Sequence, residues 1–318
     1  MSVIDNANTT NPAHGTYNPT HTGITIPHLW SGKLLVKFYA ASVVTAISNT
    51  DYEGEIKGQG DTVNIRQTPD VTIGTYTKGL SLTIQNPETT LVTLEISHGK
   101  YWAFLSEDVD THQIDYDNVE DWSSDAAEQM KIVVDTAILA ATPATAATGN
   151  YGNAAGVISG GVALGATNDW VQLTKTNVLD VIVDCGTVLD EQNVPEADRF
   201  IVLPAWACGM IKKSDLQDAS LSGDNTSILR NGRIGMIDRF TLYRSNLLAT
   251  ASDEGATTTS ALFGHKSGLT FAGQFVKNES VRSTATFGTI NRGLKVYGFK
   301  TIKASAIGHL YCSSEVNV

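Results

Sequence analysis

Alternating apolar and polar positions mark three runs early in the chain: Thr62-Val63-Asn64-Ile65-Arg66, Leu80-Ser81-Leu82-Thr83-Ile84 and Leu91-Val92-Thr93-Leu94-Glu95-Ile96. A period of two places every second side chain on one face of a strand. Pro69-Asp70, Lys78-Gly79 and Asn86-Pro87 lie between the runs and supply turn chemistry. The pattern predicts antiparallel strands in one long hairpin over residues 53–96. Thr, Gln and Asn fill its outward positions, and too little apolar surface is present to close a core. The hairpin is therefore expected to project and pack on another chain.

The period then changes. Trp122, Ala126, Met130, Val133, Val134, Ala137, Ile138 and Ala141 recur at three and four residues, which predicts a long helix over about 120–141. Ser123, Ser124 and Asp125 read as its N-terminal caps and Pro143 as its stop. Leu34, Leu35, Phe38, Tyr39 and Val43 sit at mixed spacing between a short helix and a strand, and the helix is preferred for residues 33–48. The glycines and alanines of residues 144–167 suggest a flexible connection or surface loop.

Residues 171–193 predict a helix with Val178, Val181, Ile182, Cys185, Val188 and Leu189 on one face. Arg199-Phe200-Ile201-Val202-Leu203-Pro204 follows as a buried strand, so the pair reads as part of an α+β domain. Glycines in residues 231–246 allow a tight hairpin with Ile234, Ile237, Phe240 and Leu242 inward. Ala261-Leu262-Phe263-Gly264, residues 269–276 and a strand-like run over 293–310 complete the chain.

Composition narrows the function classes. Charged residues make up only 17% of the 318 positions and hydrophobic ones 42%, so Ser, Thr, Asn and Gly carry much of the surface, which suits contact with other protein. A net charge of -11 argues against general nucleic-acid binding, which needs Lys and Arg to displace phosphate counterions. Cys185, Cys208 and Cys312 form no Cys-x-x-Cys pair, and neither a disulfide framework nor a zinc site is indicated. The Asn- and Thr-rich start lacks the basic and apolar regions of a signal peptide, so a product kept inside the cell is expected. No run reaches the roughly 20 apolar residues of a membrane span.

Candidate chemistry is sparse. No common catalytic or nucleotide motif is present, and Gly160-Gly161-Val162-Ala163-Leu164-Gly165 lacks the spacing and the Lys of a phosphate loop. Between Lys100 and Lys131 there is no Lys or Arg, while Glu107, Asp108, Asp110, Asp115, Asp117, Glu120, Asp121, Asp125 and Glu128 accumulate. A calcium site, an acid–base pair and a solvated acidic face all remain open for this run, and the acidic face is preferred. In a closed container such a face, with Asp115, Asp117, Glu120 and Asp121, would keep DNA from sticking to the wall. His98 and His112 are the one histidine pair in neighbouring elements, and Trp102 and Phe104 are expected in the core. No catalytic, cofactor or metal residue is assigned.

The order of parts resembles the tailed-bacteriophage major capsid protein family, with the Hong Kong 97 (HK97-like) phage capsid fold. The residues that carry the resemblance are Gly60-Asp61-Thr62-Val63-Asn64-Ile65, the run Leu91-Val92-Thr93-Leu94-Glu95-Ile96 through Lys100-Tyr101-Trp102-Ala103-Phe104 to Asp108-Val109-Asp110 and Gln113, and Phe200-Ile201-Val202-Leu203-Pro204 with Asn231-Gly232-Arg233-Ile234-Gly235 and Phe240-Thr241-Leu242-Tyr243-Arg244-Ser245-Asn246. It implies an α+β fold with an N-terminal arm (1–32), a short helix or connector (33–52), an extended hairpin loop (53–97), a peripheral domain built on the spine helix (98–204), an axial domain (205–292) and a C-terminal strand returning to the body (293–318).

It also implies a structural protein that self-assembles as hexamers and pentamers into an icosahedral head shell around double-stranded DNA, without sequence-specific binding, cofactor or membrane. Scaffolding, portal and decoration proteins are the implied partners, and the virion, after assembly in the host cytoplasm, the implied location. Thr62, Val63, Ile65, Arg66, Lys78, Leu80, Leu82 and Ile84 are the expected intersubunit contacts. Some relatives cross-link through a loop Lys and a distant Asn; here Lys57 and Lys78 lie on the loop, no motif picks out an Asn, and non-covalent packing is expected. No long charged helical segment precedes the arm, so no fused scaffolding domain is expected. An encapsulin-like compartment shares the same pattern, and an α+β enzyme with an unrecognised site remains the alternative from another class.

Overall fold

The computed structural model describes residues 39–51, 62–69, 71–109, 118–214 and 235–314. All fall within the larger of the two units into which the chain divides, residues 38–318. The expected arm, the start of the connector and Ile234 lie outside the described residues.

Helix and strand alternate irregularly, as an α+β fold requires. The strands are β1 (Thr62–Arg66), β2 (Leu91–Glu95), β3 (His98–Glu107), β4 (Val171–Leu173), β5 (Arg199–Leu203), β6 (Met236–Ile237), β7 (Phe240–Arg244), β8 (Thr250–Asp253), β9 (Ala256–His265), β10 (Leu269–Arg282), β11 (Gly288–Thr301) and β12 (Ile307–Ser314). The helices are α1 (Val44–Ile47), α2 (Asn118–Ala141), α3 (Val178–Glu191) and α4 (Ala205–Lys213). Among the described residues three sheets result: β1-β2, β10-β11-β3, and a mixed sheet in the order β4-β12-β9-β5-β7-β6, with β8 paired to β9. Both larger sheets draw strands from before and after residue 205.

The mixed sheet is covered on both faces, and β5 shows why. All five of its residues are buried. Ile201 and Leu203 point into one core with Val181, Ile182, Cys185, Val188 and Leu189 of α3 and Ala207 and Ile211 of α4. Phe200 and Val202 point to the other, where Val134, Ile138 and Leu139 of α2 meet Val43, Val44 and Ile47. A strand buried on both faces reads as continuous apolar sequence rather than alternation. Leu269 and Phe271 of β10 and Tyr297 of β11 enter this second core and join the three-stranded sheet to it.

Several expectations are corrected. Of the range 33–48 expected as a helix, residues 39–48 are described and hold one turn, α1, whose leading amides are capped from α2: buried Asp135 accepts from Val43 N at 2.7 Å and Val44 N at 3.2 Å. Because α2 already runs from Asn118, Ser123, Ser124 and Asp125 lie inside it rather than at its N-cap; the Ser123 hydroxyl donates back to Val119 O at 2.7 Å. Val133 is 44% exposed, while Met130, Val134, Ile138 and Leu139 form the buried stripe. The expected 171–193 helix begins only at Val178, since Val171–Leu173 pairs in parallel with β12. The run over 293–310 is two strands in different sheets, divided by the 3-10 turn Ala304–Ala306.

Two loops are more ordered than their composition suggests. In the glycine-rich segment, Ala155 and Val162 exchange backbone hydrogen bonds at 2.9 and 3.0 Å, and Leu164 is fully buried. Asn150, also fully buried, donates to Ser305 O at 2.7 Å and Ile307 O at 2.9 Å, so carbonyls at the start of β12 are satisfied by a side chain. The β6–β7 hairpin turns not on glycine but on Asp238 and Arg239, at φ 45° and 65°. Asp238 fits there because α3 carries Gly186 beneath it, where a Cβ would stand 2.3 Å from Asp238 Oδ2. Arg239 is held by Asp190 and Glu196, each at 2.8 Å.

Candidate assembly surface

The hairpin rises from a base that its own residues dictate. β1 and β2 pair antiparallel with Ile65 opposite Val92 and Val63 opposite Leu94. Ile65, Leu94 and Ile96 then bury against Ala272 of β10 and Val296 of β11, forming a small third core. Gln67 closes the base: its backbone amide donates to Thr90 O at 2.9 Å, and its side-chain amide to Ile302 O at 3.1 Å.

The approach is close enough to require glycine at Gly298, where a Cβ would stand 2.3 Å from Glu95 O. Backbone cannot yield as a flexible side chain would. Gly298→Ala is expected to push the hairpin base off β11 and to cost about 1–3 kcal/mol, the range for forced overpacking. Urea unfolding checks this, and an unchanged midpoint would show that the base tolerates the displacement.

Beyond the base the architecture departs from expectation. Residues 71–90 carry no sheet pairing, so the Leu80–Ile84 run is not a strand within this chain. Among the described residues the Gln85 side chain joins the two limbs, accepting from Thr72 N at 3.0 Å and donating to Thr72 O at 2.6 Å. The limbs turn at Lys78-Gly79, with Gly79 at φ 91° and Leu80 N donating to Thr77 O at 2.9 Å.

Every described residue from 71 to 91 is exposed, including Ile73 at 88%, Leu82 at 72% and Ile84 at 93%, together with Val71, Tyr76, Leu80 and Leu91. Isolated exposed apolar side chains need no explanation, but this many on one short loop mark a surface that meets protein. The sequence reading missed Val71, Ile73 and Tyr76, although Val71-Thr72-Ile73 alternates in the same way.

Of the expected contact residues, Leu80, Leu82, Ile84 and Lys78 sit together on this loop and are exposed. Thr62 and Arg66 are exposed at its base and Val63 is half-buried. Ile65 differs: at 8% exposure it belongs to the chain's own third core and does not face a neighbour.

Asp115 and Asp117 lie outside the described residues, as does His112. Glu120 and Asp121 are exposed in the first turn of α2, where negative charge complements the helix dipole. Other acids of the run have specific partners, and Glu128 pairs with Lys131 one turn further on. Asp108 forms an ion pair with Arg282 at the far end of the three-stranded sheet. Asp125 accepts from the Tyr39 hydroxyl at 2.8 Å, a hydrogen bond that raises the phenol's pKa.

Trp102 and Phe104, expected in the core, are only half-buried, and Trp122 is exposed. Trp102 and Phe104 lie 5.4 Å apart, with Trp122 of α2 edge-on to Phe104, and His98 stacks on Tyr297 and Phe299. Burial lowers the His309 imidazole to about 4, beside a hollow of about 420 Å³. Its described lining holds no carboxylate or cation besides His309 itself, only the phenols of Tyr151 and Tyr311. Among the described residues no three His, Cys, Asp or Glu side chains converge as a metal site.

A family model described as phage capsid protein matches residues 87–307. Among solved structures, one from Mycobacterium phage Che8 superposes with a TM-score of 0.72 at 24% identity, covering 90% of this chain and 97% of that one. The capsid of cyanophage P-SCSP1u gives 0.70 at 13% identity, covering 92% and 94%. The capsid of Ralstonia phage GP4 gives 0.68 at 12%, covering 94% and 98%. No curated protein sequence matches.

Proposed function

Because the chain belongs to the phage capsid protein family and has the HK97-like fold, we propose that it is the major capsid protein of a tailed phage, a structural subunit that carries out no reaction and assembles with copies of itself into the head shell. The observation that carries this reading is the loop of residues 71–91, rich in exposed apolar side chains yet set on a buried, hydrogen-bonded base. Such a loop gains burial only by meeting another molecule. The partner is an adjacent copy, with Lys78, Leu80, Leu82 and Ile84 in the contact and Thr62, Val63 and Arg66 at its margin. Individually weak contacts suffice because a closed array repeats them.

In this reading residues 1–32 are an arm, 33–52 a connector and 53–97 the loop that reaches a neighbour. Residues 98–204 provide the peripheral region around α2, residues 205–292 the axial region near each hexamer or pentamer centre, and residues 293–318 return to the body. The shell encloses double-stranded DNA without sequence-specific contacts, and scaffolding, portal and decoration proteins join it during assembly in the host cytoplasm. An encapsulin-like compartment and an α+β enzyme are the readings that the family match does not favour.

The test is expression of the full chain, alone and with the neighbouring genes, followed by negative-stain electron microscopy. Closed particles or hexamer sheets are expected; a persistent monodisperse monomer under every condition would overturn the reading. The acidic segment supplies a further expectation. If it lines the inner wall, reversing Asp115, Asp117, Glu120 and Asp121 to Lys gives empty shells that retain added DNA, with a steep loss of retention as salt rises. Retention equal to that of the parent shell would remove the inner-face assignment.

A further inference from the structure

A hollow of about 340 Å³ is lined by α4 and β7. Ala205, Cys208, Gly209 and Lys212 face it at the three- and four-residue spacing of one helix side, and Leu242 and Arg244 at the two-residue spacing of one strand side. A volume of this size lies at the small end of ligand sites.

The two cations on its wall lack anions. Arg199, Arg239, Arg282 and Arg292 each meet a carboxylate of this chain, in which Asp and Glu outnumber Lys and Arg by 33 to 22. Among the described residues Lys212 and Arg244 meet none, and the described lining of the hollow contains no carboxylate. The dipole at the C-terminal end of α4 suits Lys212 but gives no reason for Arg244 beside it. Two like charges on one hollow repel, and an anion between them reverses the sign of the interaction. Burial raises the Cys208 thiol while Arg244 and Lys212 act against it, so both charges reach the same point of the wall.

Gly209 supplies a second observation. It lies inside α4, where glycine is less favourable than alanine, yet a Cβ there would meet nothing within 4 Å. Packing therefore does not call for glycine at this position. Its missing side chain keeps the hollow open between the helix and the two cations.

We propose that this hollow binds one small anion of the phosphate class, with the Arg244 guanidinium forked on two of its oxygens and the Lys212 ammonium on a third. Two cations match the charge of about −1.5 to −2 that a phosphate monoester carries at pH 7, and the planar fork of Arg fits its oxygens. A DNA duplex would have to lie against the rest of an acidic chain, which favours a small anion over a nucleic-acid backbone. The site does not depend on the shell reading.

Equilibrium dialysis of the full chain against radiolabelled inorganic phosphate, at constant ionic strength in chloride, tests this. Saturable binding of one phosphate per chain is expected. Arg244→Gln and Lys212→Gln should each weaken it at least ~10-fold, as loss of one charge-assisted hydrogen bond implies, with the circular dichroism spectrum unchanged. Gly209→Leu keeps both cations but fills the hollow, and should weaken binding by a similar factor. Binding that never saturates, or that is equal in the parent and the two Gln variants, would overturn the proposal. So would full binding in a folded Gly209→Leu chain, since surface charge alone would then explain it. Tighter binding of a short DNA duplex, lost in the same Gln variants, would replace the small anion by a nucleic-acid backbone.

Discussion

Replacing Leu82 and Ile84 together by Asp is expected to abolish particle formation while leaving the subunit folded. The two side chains are 72% and 93% exposed, so the folded monomer loses little by their removal. Burying one such side chain in an interface contributes about 1.5–3 kcal/mol. Losing about 3 kcal/mol from each contact weakens it roughly 100-fold, and a closed shell repeats that loss at every subunit. Two new carboxylates on an already acidic chain add repulsion. Sedimentation velocity and circular dichroism read the two halves of this expectation. Particles at the parent's yield would show that the loop meets no neighbour.

The largest effect on the subunit itself is expected at Arg199. Its side chain is fully buried, and it donates to Asp190 Oδ1 at 2.6 Å, Val194 O at 2.6 Å and Pro195 O at 2.9 Å. One side chain thus ties the end of α3, the following turn and the first residue of β5 together. Arg199→Ala leaves two carbonyls and a carboxylate without that partner and opens a cavity, so a loss of about 3–5 kcal/mol is expected in urea unfolding. A loss under about 1 kcal/mol would mean that water replaces the guanidinium.

The same network predicts a pH dependence. Burial pushes the Asp190 carboxyl up, but hydrogen bonds and charge from Arg199 and Arg239 outweigh it and the net pKa is lowered. A folded-state pKa below the unfolded one contributes stability that is present above the unfolded pKa, about 3.9, and lost as pH falls through the folded one. Asp190→Asn should therefore flatten the acid limb of the stability curve and leave its neutral slope unchanged.

How far the sequence is legible depends on what each pattern encodes. The α3 face was readable because Val178, Val181, Ile182, Cys185, Val188 and Leu189 all serve one core. β5 was readable as a buried strand because both of its faces are apolar. Leu80–Ile84 misled because alternation reports side chains pointing to opposite sides but does not say whether a ladder partner exists. The local context also failed at Ser123, where a capping residue type lies one turn inside a helix that begins earlier. Low complexity in residues 144–167 concealed order because that order comes from Asn150, Glu191 and backbone pairs, which leave no periodic trace.

The assembly surface was partly legible for the same reasons. Turn chemistry at Lys78-Gly79 and the period of two located the loop and four of its exposed residues, whereas Val71, Ile73 and Tyr76 lie across a limb whose partner is a side chain, Gln85. Val63 and Ile65 share one face of β1 and both pack toward Leu94, Ile96 and Val296 of their own chain, Val63 only partly buried. Period alone cannot tell an inward face from an outward one when both belong to a projecting ribbon.

The most direct test of the central claim is an electron cryo-microscopy map of particles assembled from the full chain. The account predicts a closed icosahedral shell in which residues 71–90 lie against an adjacent copy, with Leu82 and Ile84 buried between the two. A shell in which that loop stands free of every neighbour, or folds back on its own subunit, would contradict it.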